Sequence, residues 1–140
     1  MRSIDEIIVH CSATKAGRNV DAKEIDRWHK IRGFKCIGYH FVVKLDGTIE
    51  AGRSISEVGA HCKGKNYHSI GVVYVGGLDE NGKPADTRTD AQKVALRALL
   101  QTLCVLYPSI VKIAGHRDYA ARDCPCFDAA FEYRNIAKPR

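Results

Sequence analysis

At 140 residues the chain has the length of one domain, enough to bury roughly 68–70% of its unfolded surface in a single core without staples. A composition of 45% hydrophobic and 27% charged residues is that of an ordinary globular protein and excludes low-complexity, repeat and membrane-spanning architectures. The formal charge of +6 favours polyanionic partners, but no nucleic acid is expected, because the basic residues are scattered and the KGK at 63–65 has no interleaved aromatic residue for base stacking.

In chain order, residues 4–9 read as a short interior strand that delivers His10 at a rim of the sheet. Asp5 and Glu6 interrupt the apolar stretch that a secretory leader would need, so no Sec-type signal and no membrane insertion are expected. Asp21 followed by Glu24 resembles a capping box, opening a helix with Ile25, Trp28 and Arg32 on one face and Gly33 as its stop. Residues 39–43 and 48–51, joined through Asp46-Gly47, form a hairpin pattern, since glycine accepts the positive φ of a tight turn. Residues 70–75 are apolar on both parities, which predicts a central strand covered on both faces.

Residues 76–88, rich in Gly, Asp, Asn and Pro, read as a surface loop, and with the loop at 52–69 they are the natural walls of the groove that the family resemblance given below implies. Thr89 with Gln92 forms a second capping box that opens a long helix, its stripe of Leu96, Leu99, Leu100, Leu103 and Tyr107 ending at Pro108. Residues 111–114 make a strand that delivers His116, and 127–136 a closing helix. The predicted order is β-α-β-β-β-α-β-α in one domain spanning 1–140. A chain made in a reducing compartment keeps its cysteines as thiols or metal thiolates, so Cys11, Cys36, Cys62 and Cys104 are expected as small buried hydrophobes.

Two imidazoles and a thiolate carry the chemistry. His10 and His116 stand at strand exits, and Cys124 follows in a loop where Pro125 biases it towards extended backbone. Such a set holds one zinc ion with a coordination position left for water, whose pKa falls towards roughly 7. His61 and His68 lie seven apart and could supply ligands as well, though their spacing fixes no shared face. Strand alternation means that if His10 faces the metal Cys11 does not, and if Tyr39 does His40 does not.

The segments VHCSAT at 9–14, GYHFVVKLDGTIEAGR at 38–53, NYHSIGVVYVGG at 66–77 and GHRD…CPCFD at 115–128 together resemble the zinc-dependent N-acetylmuramoyl-L-alanine amidases of the phage-lysozyme type (amidase type 2). These share their fold with peptidoglycan recognition proteins. The resemblance runs in order along nearly the whole chain. It implies an α/β domain with a mixed central β-sheet flanked by helices, zinc in a surface groove, and hydrolysis of the amide between N-acetylmuramic acid and L-alanine in peptidoglycan.

The resemblance also implies zinc ligands at His10, His116 and Cys124, and a catalytic Tyr39 that orients the attacking water or takes up its proton. It further implies a groove-lining His61 in contact with substrate. Arg122 stands where the family commonly has a lysine that stabilises the oxyanion, keeping the charge on a wider, planar donor set. Cys126 replaces a small residue and could compete for metal or oxidise with Cys124. A monomer is expected, made in the cytoplasm and reaching the wall after lysis or by another secretion route. The alternative is a non-catalytic muropeptide-binding module, which would need neither Cys124 nor Tyr39. A zinc deaminase is disfavoured, because H-x-E with P-C-x-x-C is lacking.

Overall fold

The computed structural model describes residues 2–137. Its main sheet is built from β1 (Glu6–Cys11), β3 (Phe41–Val43), β4 (Ile49–Ala51), β5 (Ser69–Tyr74) and β7 (Lys112–Gly115), and two shorter strands, β2 (Thr14–Lys15) and β6 (Gly77–Leu78), pair beside it. The spatial order is β4-β3-β5-β1-β7, with β3, β5, β1 and β7 parallel and β4 antiparallel to β3. The domain is therefore α/β with a mixed central sheet, as the resemblance implied.

All six residues of both β1 and β5 are buried, because each strand has neighbours on both sides and side chains covering both faces. Alternation divides them. Ile7, Val9 and Cys11 pack with Val72 and Tyr74 beneath α2 (Asp90–Leu106), whereas Val73 and Val75 join Ile25, Ile37 and Val42 beneath α1 (Ala22–Ile31). His10, opposite Val73 in register, thus faces the α1 side.

Each helix begins as the sequence suggests. The Asp21 carboxylate accepts from the Glu24 N–H at 2.9 Å, but Glu24 turns its own carboxylate to Arg18 at 3.1 Å, so only half of that capping box forms. At α2 the box is complete: Thr89 Oγ1 accepts from Gln92 N–H, and Gln92 Oε1 accepts from Thr89 N–H. Gln92 is fully buried, and its Nε2 donates to the carbonyls of Val43 and Val75, tying the helix start to two strands.

Four expectations need correction. His10 does not stand at a rim: it is 1% exposed, because β1 lies inside the sheet and the 59–62 loop covers the end of the strand. The loop at 76–88 begins with β6, which pairs in parallel with β2. The closing helix is only α3 (Ala129–Glu132), because the carbonyl of Phe131 is taken by the Arg134 guanidinium at 2.7 Å and by the Arg134 N–H, leaving the next turn of helix no acceptor there. Cys36 and Cys104 are half-buried, whereas Cys11 and Cys62 lie in the core. No helix among the described residues is long and apolar enough to cross a membrane.

Candidate metal centre and its groove

The C-terminal ends of β1 and β7 bring His10 and His116 together, their ring centroids 4.6 Å apart. The loop after β7 returns Cys124 to the same point, its sulfur 4.0 Å from His10 Nδ1. The ligating atoms of His10, His116 and Cys124 all lie within 4.8 Å of one another. Metal bonds of about 2.0–2.3 Å from imidazole and thiolate reach across such gaps, so the donor chemistry and spacing fit zinc.

Local electrostatics prepares these groups as ligands. Hydrogen bonds from the Cys11 thiol and from the Cys11 backbone N–H, at 3.1 Å, hold the Cys124 thiol below its usual range and favour the thiolate. Burial holds His10 well below the imidazole range, and burial followed by the charge of Arg122 does the same more mildly for His116. Neutral imidazoles and a thiolate are the forms a metal requires.

Tyr39 lies beside this cluster, its ring 5.0 Å from that of His10. Burial first, and then the sulfurs of Cys124 and Cys11, push its phenol above the usual range, so it stays protonated at neutral pH. His40 points away, its Nδ1 accepting from Gly71 N–H at 3.0 Å. His29, on the inward face of α1, reaches Tyr39 with a centroid separation of 5.4 Å. It accepts from Gly38 N–H at 2.9 Å and so props the segment that carries Tyr39.

The cluster lies at the base of a groove of about 950 Å³. Trp28, Arg32 and Phe34 form one wall, Lys63 and Asn66 another, and Tyr119 with Arg122 a third. The 52–69 loop contributes to it, but the 76–88 loop does not, because its pairing through β6 holds it elsewhere; α1 supplies the wall instead. Arg32, Lys63 and Arg122 line the groove, and no carboxylate does so among the described residues, so it attracts anionic ligands. The guanidinium of Arg122 makes no hydrogen bond or ion pair with a described residue and stands free for a ligand.

Three other sequence candidates are placed differently. His61 lines the groove but is 9% exposed, and both its ring nitrogens have protein partners, His10 at 2.8 Å and Ser69 at 3.3 Å. His68 lies with Asp5 and Glu6 at the opposite end of β1, its Nδ1 2.7 Å from Asp5 Oδ1. Cys126 turns from the cluster towards Cys11, 3.9 Å between sulfurs, and towards the Gly77 carbonyl. Burial and the neighbouring Cys11 push the Cys126 thiol up to about 12, which opposes its recruitment as a ligand. The sequence carried no signal for the Cys11 donors or for the contact of Ser69 with His61, since each pairs segments without a local motif.

The profile of a family described as N-acetylmuramoyl-L-alanine amidase matches residues 1–127. The endolysin of Escherichia phage T7 is 50% identical over 126 residues, covering 90% of this chain and 83% of the relative. That of Enterobacteria phage T3 is 50% identical over 124 residues, covering 89% and 82%. Among solved structures, the N-acetylmuramoyl-L-alanine amidase LysC from Clostridium intestinale URNW superposes with a TM-score of 0.79 at 31% identity, over 94% of this chain and 82% of that one.

Proposed function

This chain belongs to the N-acetylmuramoyl-L-alanine amidase family, and from that premise we propose that it works through one zinc ion held by His10, His116 and Cys124. It is a peptidoglycan amidase, hydrolysing the amide between N-acetylmuramic acid and L-alanine. The observation that carries the zinc reading is the approach of two neutral imidazoles and a thiolate to within 4.8 Å at the base of an open groove. When bound there, zinc supplies a Lewis-acidic position that polarises the scissile carbonyl and brings the pKa of a coordinated water towards roughly 7.

The remaining work falls to protein side chains. Arg32, Lys63 and Arg122 draw the carboxylates of the stem peptide into the groove. Tyr39, kept protonated by burial, orients the attacking water through its hydroxyl and acts as a hydrogen-bonding group, not as a base. Arg122, adjoining His116 and Cys124 on the groove wall, places positive charge where the oxyanion develops. The presence of both Cys124 and Tyr39 favours cleavage over mere binding of muropeptide. We place the site of action at the cell wall, reached after lysis or by secretion.

Elemental analysis of purified protein, with mass spectrometry of digested peptidoglycan, tests this reading. The expected outcome is one zinc per chain and products with free L-alanine amines; new reducing sugars would indicate a glycosidase instead. Cys124→Ser should lose zinc and activity together while the far-UV circular dichroism stays native.

A further inference from the structure

His10 has two ring nitrogens, and the hydrogen bonds behind the ring decide which of them is free for a metal. Ser69 Oγ lies 2.7 Å from the Lys65 carbonyl, which can only accept, so the hydroxyl proton is committed there. The same oxygen lies 3.3 Å from His61 Nε2 and, having no second proton, must accept, so His61 carries its proton on Nε2. His61 Nδ1 is then an acceptor, 2.8 Å from His10 Nε2. His10 accordingly donates from Nε2, and its lone pair is on Nδ1, 4.0 Å from the Cys124 sulfur. Both rings are buried, 1% and 9% exposed, and neither bonds a carboxylate, so each is neutral and holds a single proton.

The ring of His61 has a place reserved for it. A Cβ on Gly71 would come within 2.6 Å of its Cγ, and one on Gly59 within 2.8 Å of its Cδ2. Asn66 Oδ1 accepts from the backbone N–H groups of His61 and Cys62, both at 2.9 Å, and fixes the loop that presents the ring. The glycines make room and the asparagine sets direction. Chains of this kind behind a ligating histidine fix its tautomer and raise its basicity as a ligand.

We propose that Ser69 and His61 are positioning residues that lock His10 in its Nε2–H tautomer, making Nδ1 the metal-binding atom. The proposal rests on the zinc reading given above, but it is tested on metal-free protein. In two-bond 1H–15N spectra of histidine-labelled protein without zinc, His10 and His61 should both carry their proton on Nε2. His61→Phe, which keeps an aromatic ring and deletes the acceptor, should leave His10 a mixture of tautomers and weaken the zinc Kd, read by chelator competition, by about 10–100-fold. His61→Asn, whose Oδ1 stands near the position of Nδ1, should recover most of that loss.

A wild-type His10 protonated on Nδ1 would overturn the proposal. So would a folded His61→Phe whose zinc Kd stays within about twofold of wild type, given the expected effect of outer-shell loss. If His61→Phe does not fold, the wild-type spectrum alone decides. Failure of the zinc reading would look different: the expected tautomers in the metal-free wild type, with no zinc bound in chelator competition.

Discussion

The hydroxyl of Tyr39 and the guanidinium of Arg122 can each be removed with little harm to the fold, which makes them the residues at which chemistry separates from structure. Tyr39 keeps its ring contacts with His10 and His29 in Tyr39→Phe. We predict a fall in kcat of about 10²–10³, the usual worth of one hydrogen bond made in the transition state, with zinc content unchanged. A loss of zinc in this variant would instead assign Tyr39 to metal retention. The Arg122 guanidinium has no hydrogen-bond or ion-pair partner among the described residues, so Arg122→Ala should leave stability within about 0.5 kcal/mol of wild type. Its hydrolytic rate should drop by about 10²–10³, the cost of one oxyanion donor. If Arg122→Lys restores the rate, charge is what matters; if it does not, the planar donor set is. The convergence of His10, His116 and Cys124 was legible at this scale because His10 and His116 stand at strand ends and Cys124 precedes a proline. The direction of Cys126 was not, since it depends on Cys11, 115 positions away.

Among the elements, α2 and the β3–β4 hairpin were readable from local chemistry alone. Their signals, a leucine stripe behind a capping box and an Asp-Gly turn, act within a few residues. Gln92 does more than its capping role suggests, because its buried amide also closes off the Val43 and Val75 carbonyls. Gln92→Leu removes both bonds; the Val43 carbonyl still accepts from the Val75 N–H, but the Val75 carbonyl is left without a donor, and a buried group left unsatisfied costs about 1–3 kcal/mol. Urea denaturation should show a loss in that range or above; Thr89→Ala, which removes the cap, should cost about 1–2 kcal/mol. A Gln92→Leu protein as stable as wild type would mean that the strand ends find other donors. The closing helix was overestimated because its stop is made by Arg134 folding back on the Phe131 carbonyl, a contact that helical periodicity does not register.

For the whole molecule, burial of histidines sets the response to acid. His29 Nδ1 and His40 Nδ1 both accept backbone N–H bonds, so each ring must be neutral in the folded state. Burial, reinforced for His29 by Arg32 and Arg53 and for His40 by Arg2 and Arg53, pushes each pKa down to about 4. In the unfolded chain both return to about 6.5. Between these values the unfolded state binds more protons, so stability is full above about pH 6.5 and is lost as the pH falls through about 4. The denaturation midpoint of metal-free protein should therefore decline steadily from about pH 7 to about pH 4.5. His29→Gln should flatten part of that decline, and a midpoint independent of pH would show that the rings are not held neutral.

The sequence by itself determined the strand and helix order of the main sheet, its resemblance to the amidase family implied the mixed α/β fold, and its motifs singled out His10, His116 and Cys124, whose side chains converge. Hydrophobic period, caps and turn residues act over a few positions and are written directly in the chain. Only the tertiary structure decided that His10 is buried, that α1 and not the 76–88 loop walls the groove, and that His61 faces His10 across 51 positions of sequence. Such contacts join segments with no shared local pattern. They exist because parallel strands bring distant residues to one end of the sheet, where hydrogen-bond partners are settled by proximity in space.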